Sequence, residues 1–310
     1  MRELGGRVAV VTGAASGIGR ALAVRLASEG MHLALADVDP EGLRETAALT
    51  RAAHRPTPRT SDRGPSRADG ADADAGSGAG TAGRAVVLTE IVDVGDEGAV
   101  LRFADRVFAE MGEVHLLCNN AGVYTGGRMW TRPAADFEWA LRVNLWGVLH
   151  GVRAFVPRML EQGGEGHVVN TCSVAGLFVG PGAAPYTVSK WAAFAASLSL
   201  AQELAMEGSG IGVSALCPGG VATRIHESER TRPAGLEGAP GDDVAFMNEM
   251  IAATVAGGIA PEDVAARVVG AVRERRFLVL THPEYEPGLA EQAAALTAGR
   301  LPPLPDAEWK

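Results

Sequence analysis

The chain has 310 residues, of which 47% are hydrophobic and 21% charged, so its length allows one large domain or two ordinary ones with a sizeable core. A formal net charge of −9 and a pI near 5.3 argue against a surface that binds nucleic acid or an anionic membrane, and no run approaches the roughly 18 apolar residues of a membrane span. The N-terminus lacks the features of a signal peptide, and the three cysteines show neither metal-ligand spacing nor a disulfide pattern, so we expect a reduced cytoplasmic protein without a metal site.

Short apolar runs predict seven β-strands, at 7–12, 32–37, 85–94, 114–119, 166–173, 212–218 and 277–282. They are continuously apolar rather than alternating, which is typical of parallel strands buried on both faces. Amphipathic segments between them predict helices at 17–29, 40–53, 96–111, 136–161, 186–207 and 261–275. This alternation predicts an α/β fold: a single doubly wound Rossmann-type domain over residues 1–310, with a seven-stranded parallel sheet and helices on both faces.

Residues 55–84 interrupt the alternation with a stretch that contains no Val, Ile, Leu, Met, Phe, Trp, Tyr or Cys. Such a stretch has almost nothing to bury against the entropy cost of ordering it, so we interpret it as a disordered insert between a helix and a strand. Arginines recur at every fourth position from 55 to 67, so a helix with a basic stripe is an alternative interpretation. Three prolines in the same stretch disfavour a helix, and a solvated spacer is the preferred interpretation.

The first predicted strand runs into the glycine-rich turn TGAASGIG at 12–19, directly before a predicted helix. Gly13, Gly17 and Gly19 permit a tight turn whose backbone N–H groups can approach a pyrophosphate at the helix N-terminus. The alternative is a glycine-rich turn without a ligand. The position between a strand and a helix favours dinucleotide binding.

The second predicted strand ends at Asp37, eighteen residues past Gly19. A carboxylate at this place can accept hydrogen bonds from the adenosine ribose hydroxyls and would repel a 2′-phosphate. The following DVDPEG contains no Lys or Arg to bind such a phosphate. The sequence therefore favours NAD(H) over NADP(H).

Within PYTVSKW, Tyr186 and Lys190 stand four residues apart, so in a helix they lie on one face. For so short a motif, a buried tyrosine beside a snorkelling lysine is the common explanation. Other motifs change that balance: TGAASGIG, NNAG at 119–122, Ser173 thirteen residues before Tyr186, and PGG at 218–220 occur in order. Together with the Tyr-x-x-x-Lys pair they resemble the classical short-chain dehydrogenase/reductase family over nearly the whole chain except 55–84.

The resemblance implies an NAD-dependent enzyme that interconverts a lipophilic secondary alcohol and its ketone by hydride transfer. It implies a catalytic set of Asn144, Ser173, Tyr186 and Lys190. In that set Asn144 belongs to a proton relay, Ser173 binds the substrate oxygen, Tyr186 is the general acid/base and Lys190 holds the nicotinamide ribose. A free phenol has a pKa of about 10, so we expect Lys190 and an oxidised nicotinamide to lower the pKa of Tyr186.

The resemblance also implies which residues contact the cofactor. They are Gly13, Ser16, Gly17, Ile18, Gly19, Asp37, Asp93, Val94, Asn120, Ala121, Gly122, Tyr186, Lys190, Pro218, Gly219, Val221 and Thr223. Asn119 is expected to stabilise the central sheet instead. Cys172 occupies a place where the family often has a second serine, and we expect it to pack rather than react.

Residues 222–258 resemble the family's mobile substrate-binding loop. Apolar candidates for the substrate pocket are Leu177, Phe178, Val179, Ile225, Phe246 and Met250 on one wall, and Tyr124, Met129 and Trp130 on the other. Each could equally be ordinary core. Arg224, Arg230 and Arg232 could bind an anionic substrate, but pairing with Glu227, Glu229 and nearby acids on a solvated loop is preferred.

The family is usually oligomeric, so the resemblance implies a homotetramer or homodimer that pairs the helices predicted at 136–161 and 186–207. We expect a small alcohol or ketone as the partner molecule, and no nucleic acid or membrane. Two alternatives stay open. The chain could be a catalytically silent dinucleotide-binding regulator, or it could use the same site for dehydration or epimerisation.

Overall fold

A computed structural model describes residues 1–55 and 86–304 of the chain. Apart from Arg55, the insert proposed at 55–84 lies outside the described residues. Within the described ranges, no helix combines the length and the apolar character that crossing a bilayer requires.

The sheet of the described chain is parallel and seven-stranded, as predicted. Its strands are β1 (Val8–Thr12), β2 (His32–Asp37), β3 (Val87–Ile91), β4 (Leu116–Asn119), β5 (Gly166–Thr171), β6 (Ile211–Cys217) and β7 (Leu278–Leu280). Their order is β3-β2-β1-β4-β5-β6-β7, so the order reverses between β1 and β4. In open α/β sheets a ligand crevice lies outside the carboxyl ends of the strands at such a point.

Helices cover both faces of this sheet, and each face carries its own apolar core. They are α1 (Gly17–Ser28), α2 (Pro40–Ala53), α3 (Glu97–Met111), α4 (Ala134–Leu141), α5 (Gly147–Gln162), α6 (Ala184–Met206), α7 (Asp242–Ala256), α8 (Pro261–Glu274) and α9 (Glu286–Thr297). Buried strand residues such as Val10 and Val11 point to opposite cores, which explains why the strands are apolar at every position.

The predicted strand at 85–94 is too long, because β3 ends at Ile91. Beyond it the carboxylate of Asp93 accepts a hydrogen bond from the Gly95 N–H at 2.8 Å, and Asp96 caps α3. These local side-chain bonds turn the chain away from the sheet.

Two predicted segments differ in helical structure. The single helix predicted at 136–161 is α4, a π-helical segment over Arg142–Trp146, and α5. Residues 222–258, predicted as a loop, contain a 3-10 segment over Ile225–Thr231 and the helix α7. Only Val255 of α7 is buried, so the helix has no continuous apolar face that its sequence could reveal. The same holds for α9, which was not predicted and buries only Ala295.

Candidate active site

A cleft of about 440 Å³ opens at the carboxyl ends of the strands, where the sheet order reverses. Segments that follow β1, β2, β3, β4, β5 and β6 form its walls, and α6 and α7 complete it. Most of the sequence-predicted site residues line this cleft: Gly13, Ser16, Gly17, Ile18, Asp37, Asp93, Val94, Asn120, Ala121, Gly122, Ser173, Tyr186, Lys190, Pro218, Gly219, Val221 and Thr223.

The glycine-rich turn after β1 packs so closely on neighbouring backbone that its glycines cannot carry side chains. Gly13 has a φ of +65°, and a Cβ at this position would lie 2.6 Å from the Cα of Ala121. Gly19 does not line the cleft; a Cβ there would lie 2.0 Å from the carbonyl oxygen of Gly13, so its role is close packing of α1 on the turn. The turn therefore forms a backbone cradle at the N-terminus of α1, which suits a pyrophosphate.

Asp37 ends β2 on the same side of the cleft as this turn and is half-buried. Its two carboxylate oxygens accept hydrogen bonds from the N–H groups of Ala15, at 2.8 Å, and Asp39, at 3.0 Å. Burial raises the pKa of Asp37, and these backbone N–H groups act in the opposite direction. The backbone thus fixes the carboxylate beside the glycine turn, where a ribose bound to that pyrophosphate would lie.

Asn119 and Asn170 join the neighbouring strands β4 and β5 beneath the cleft. The Asn119 Nδ2 donates to the Asn170 Oδ1 at 2.9 Å, and the Asn170 Nδ2 donates to Ser197 in α6 at 3.0 Å. This buried polar chain ties the central sheet to α6, consistent with the expectation that Asn119 stabilises the sheet.

Asn144 lies in the π segment and is buried behind the cleft rather than lining it. Its Oδ1 accepts from the Val123 N–H at 2.9 Å, and its Nδ2 donates to the Val123 carbonyl at 3.0 Å and to the Ser189 Oγ at 2.9 Å. The Ser189 Oγ donates in turn to the carbonyl of Tyr186 at 2.7 Å. Single π turns inside helices are frequent at functional sites. Here the turn places an amide that fixes the segment after β4 against the first turns of α6.

Tyr186, Lys190 and Ser173 converge where β5 ends and α6 begins. The Lys190 Nζ lies 5.8 Å from the centre of the Tyr186 ring and donates to the Thr171 carbonyl at 2.9 Å. The Ser173 Oγ accepts from the Ala175 N–H at 3.1 Å, which holds its side chain in the turn after β5. One helical turn separates Tyr186 from Lys190, as their spacing predicts.

The protein alone does not lower the pKa of the phenol. Burial raises the pKa of Tyr186 to about 12, and its hydrogen bond with Ser173 acts in the opposite direction. Burial also lowers the pKa of Lys190 to about 8. Desolvation is the largest cause of both shifts, and the lowering expected from Lys190 together with an oxidised nicotinamide stays a prediction. At neutral pH the phenol is protonated, the form that can donate a proton to a developing alkoxide.

Tyr124, a predicted residue of the substrate pocket, lies beside Tyr186. The two rings are 5.1 Å apart between their centres and inclined by 57°. The Tyr124 hydroxyl is buried and contacts no hydrogen-bonding partner among the described residues. Burial raises the pKa of Tyr124, which keeps this phenol neutral.

The predicted substrate residues separate into three groups. Tyr124, Ile225, Phe246 and Met250 line the cleft. Val179, Met129 and Trp130 line a second groove next to it. Leu177 and Phe178 line neither; Phe178 is buried against Tyr285 and Gly288, and the Leu177 carbonyl accepts a hydrogen bond from Gln292 of α9. For these two residues the structure agrees with the alternative of ordinary core, because the unpredicted C-terminal helix covers them.

Arg232 is not solvated, contrary to expectation. It stacks on the Trp139 ring at 4.5 Å, pairs with the buried Asp136 of α4, and also pairs with Glu229 at 2.8 Å. Arg132 contacts the same Asp136 at 3.4 Å. This buried network fastens the segment before α7 to α4. Arg224 and Arg230 follow the prediction, since both pair with Glu227 at the protein surface.

Further cleft residues escaped the sequence analysis, among them Trp139, Arg142, Met247 and Tyr285. Arg142 pairs with Asp93 at 2.8 Å, so this predicted cofactor residue carries a cationic partner. Only the position of Arg142 two residues before Asn144 could have indicated it. Nowhere in residues 1–55 and 86–304 do three or more His, Cys, Asp or Glu side chains gather as metal ligands.

Comparison with known proteins finds related sequences over most of this chain. The family profile described as short chain dehydrogenase matches residues 7–61 and 71–234. The 1-deoxy-11-beta-hydroxypentalenate dehydrogenase of Streptomyces exfoliatus is 34% identical over 288 residues, which cover 92% of this chain and 86% of that protein. The CLA biosynthesis dehydrogenase/reductase of Lactiplantibacillus plantarum is 28% identical over 308 residues, which cover 97% of each chain.

A solved structure gives the same result for the fold. The crystal structure of a short chain dehydrogenase/reductase from Burkholderia phymatum in complex with NAD superimposes with a TM-score of 0.86 at 37% identity. The match covers 98% of this chain and 99% of that one. Fold, motif order and sequence agree, and the chain therefore belongs to the short chain dehydrogenase family.

Proposed function

We propose that this protein is an NAD-dependent oxidoreductase that interconverts a lipophilic secondary alcohol and its ketone. One observation carries the proposal. A single cleft joins the glycine turn and Asp37 at one end to Ser173, Tyr186 and Lys190 at the other. A protein that only binds a dinucleotide has no need of a buried phenol, serine and ammonium at the nicotinamide end, so the regulatory alternative is less well supported.

The cleft fits a dinucleotide because its glycine turn offers backbone N–H groups where side chains would clash. When bound, NAD(H) accepts or supplies the hydride. The glycine turn and the N-terminus of α1 would hold the pyrophosphate, Asp37 the adenosine ribose, and Lys190 the nicotinamide ribose. The relative from Burkholderia phymatum was solved with NAD, which supports the choice of cofactor.

The acid–base chemistry belongs to the protein. In ketone reduction, the protonated Tyr186 phenol donates its proton to the substrate oxygen, and in alcohol oxidation the phenolate removes it. Ser173 donates a hydrogen bond to the same oxygen and stabilises its negative charge. Asn144 fixes the loop after β4 against α6 and thereby holds the first turns of that helix, which carry Tyr186 and Lys190, in place at the cleft. In alcohol oxidation, the pKa of Tyr186, raised by burial to about 12, must fall so that the phenolate can form. Cationic groups near the phenol oxygen would lower this pKa.

The lining at the substrate end is mainly apolar, with Ile225, Phe246, Met250 and Ile251 on the segment that follows the PGG turn. Among the described residues that line this region, Lys190 is the one buried cation. Arg224 and Arg230 also line it, but both pair with Glu227. A neutral lipophilic substrate fits this lining better than an anionic one.

We also infer that subunits associate through α5 and α6. The exposed face of α6 carries Val188, Trp191, Ala195 and Leu198, which recur at helical spacing. An apolar stripe of this kind is more stable when another surface covers it. Light scattering at micromolar concentration should give a multiple of the 32.0 kDa chain mass, and a monomer would contradict this inference.

The proposed function is tested by turnover of a panel of lipophilic secondary alcohols with NAD⁺ and of their ketones with NADH, followed through the absorbance of the reduced nicotinamide. We expect turnover in both directions. If the protein binds NADH but turns over no member of the panel, the regulatory alternative is favoured. If water is lost from a substrate, or a stereocentre is inverted, without net change in the nicotinamide, dehydration or epimerisation is favoured.

A further inference from the structure

A second groove, which we call the outer groove, lies on the surface beside the active-site cleft and has a volume of about 960 Å³. Its large apolar side chains are Met129, Trp130, Val179, Val188, Trp191, Phe246 and Met247. Several of them are unusually exposed: Trp130 is 82% exposed and Phe246 is 60% exposed. Exposed apolar surface of this extent next to a binding site commonly marks a further contact region.

The outer groove adjoins the active-site cleft and shares lining residues with it. Gly180, Pro181, Thr187, Phe246 and Met247 line both. Thr187 directly follows the catalytic Tyr186 in α6, so the connection lies next to the reacting end of the cleft and not at its adenine end. A molecule whose carbinol carbon lies at Tyr186 could therefore extend into the outer groove without leaving the protein surface.

The two walls of the outer groove are joined by backbone hydrogen bonds. The Gly127 N–H donates to the Gly182 carbonyl at 2.5 Å, and the Ala184 N–H donates to the Gly127 carbonyl at 3.3 Å. These bonds connect the segment that bears Met129 and Trp130 to the segment that bears Val179. The groove is thus formed in advance, which reduces the entropy cost of binding a flexible ligand.

The charges at the rim do not favour an ionic ligand. The groove is lined by one basic residue, Arg128, and by two acidic ones, Asp242 and Asp243. The carboxylate of Asp243 already accepts hydrogen bonds from the Thr131 hydroxyl at 2.7 Å and from the Arg128 N–H at 2.8 Å. Neither a carboxylate nor an ammonium group finds a buried counter-charge here, so the groove is suited to a neutral apolar chain.

A second copy of the chain is the other occupant to consider. The stripe on α6 that we assign to subunit association includes Val188 and Trp191, which border the outer groove. Met129, Trp130, Val179 and Phe246 lie outside α6 on other segments. Association through the face of α6 alone would therefore leave these four side chains uncovered and free to contact a ligand.

We propose that the outer groove binds the apolar tail of the substrate, so that the enzyme acts on elongated molecules in which an alkyl or isoprenoid chain extends from the carbinol. This inference rests on the proposed function and adds the class of substrate. Burying one methylene group raises the affinity by a factor of about 2 when it is partly buried and about 4 when it is fully buried. A tail of six carbons in the groove would therefore strengthen binding by about 100-fold or more.

The test uses the full chain and a homologous series from 2-butanol to 2-decanol, with the matching methyl ketones. We measure kcat/KM with NAD⁺ for the alcohols and, by titration calorimetry in the presence of NADH, the dissociation constants of the ketones. In the wild type both should improve by about 100-fold along the series. Trp130→Ser and Val179→Ser should reduce this gain by about tenfold in total, with the loss growing as the chain lengthens. Met206→Ser is the matched control, because Met206 is 87% exposed and lies about 22 Å along α6 from Trp191.

Binding and turnover distinguish the two proposals. If the ketones bind with the predicted dependence on chain length but no alcohol is oxidised, the groove is supported and the proposed function fails. If turnover occurs with no dependence on chain length, or if the groove variants respond like Met206→Ser, the groove proposal is overturned and the proposed function stands. If Trp130→Ser instead lowers the mass measured by light scattering and leaves the series unchanged, a second copy occupies the groove and the proposal is overturned.

Discussion

Replacement of Asp37 should change the choice between NAD and NADP. Its carboxylate is held by the N–H groups of Ala15 and Asp39 and lines the cleft beside the glycine turn. A 2′-phosphate about 4 Å from this carboxylate would cost roughly 4 kcal/mol at an effective dielectric constant near 20, or about a thousandfold in affinity. Because Asp37 is only half-buried, solvent reduces this figure. We therefore expect wild-type kcat/KM to favour NAD by about 30- to 300-fold.

The cationic side chains that line the described cleft offer no compensation. Arg142 pairs with Asp93 at 2.8 Å, and Arg224 pairs with Glu227. With Asp37→Ser, the repulsion and the ribose hydrogen bonds are both lost. The kcat/KM with NAD should then fall by about tenfold, that with NADP should rise, and the preference should shrink to about tenfold or less.

Asp39→Ser is the matched control for this experiment. It also removes one acidic charge, two residues beyond the end of β2, but Ser can still cap α2 as the Asp39 side chain does through the Glu41 and Gly42 N–H groups. We expect its NAD preference to stay within about threefold of wild type. If the wild type uses both cofactors with similar kcat/KM, or if the two variants behave alike, then Asp37 does not face the ribose and the reasoning is refuted.

Three further changes test other parts of the account. Lys190→Met should alter the pH dependence of stability, because the pKa of Lys190 is about 8 in the folded protein and 10.5 in the unfolded chain, which therefore binds more protons between these pH values. In urea titrations, the unfolding free energy of the wild type should rise by about 3 kcal/mol relative to the variant from pH 8 to 10.5. A constant difference between the two proteins over this range would contradict the assigned burial of the ammonium. Asp136→Asn should cost about 3 kcal/mol of unfolding free energy and raise KM more than it lowers kcat, because Arg132 and Arg232 lose the buried carboxylate that they share and the segment before α7 is released. Asp105→Asn, which removes the exposed pair with Arg158, should cost under about 1 kcal/mol, and equal costs for the two variants would refute the buried network. Deletion of 57–82 should keep the melting temperature and kcat near wild type, because both flanks of the segment contact His32: the His54 ring stacks on it, and the Val86 N–H donates to it at 3.2 Å. A large loss of melting temperature or of kcat would show that the segment packs on the fold.

The parts of the structure that could be predicted from the sequence are those encoded locally. The seven strands are continuous apolar runs, the turn at Gly13 and Gly17 requires glycine at its own positions, and Tyr186 and Lys190 share a helix face through their spacing alone. Asp37 could be located because the end of a strand fixes where its side chain lies relative to the preceding turn.

The remaining features depend on contacts between distant parts of the chain. Arg232 and Asp136 are 96 residues apart, so their buried pair is invisible to any local pattern. Phe178 is covered by a C-terminal helix whose own sequence has almost no buried side chains. The direction of the Tyr186 pKa also depends on burial, which the sequence spacing to Lys190 does not report.

The central claim is that the Tyr186 phenol transfers the proton in an NAD-dependent redox reaction. Its most direct test is the turnover of the best alcohol of the panel by Tyr186→Phe, measured with NADH binding by fluorescence on the same preparation. Tyr124→Phe is the control, because it removes another buried phenol hydroxyl from the same cleft. The rings of Tyr124 and Tyr186 are 5.1 Å apart between their centres, but Tyr124 has no lysine one helical turn further along the chain. The account predicts that Tyr186→Phe lowers kcat by about 100- to 10,000-fold with an NADH dissociation constant within about threefold of wild type, while Tyr124→Phe loses less than about tenfold in kcat. An unchanged kcat in Tyr186→Phe would contradict the claim.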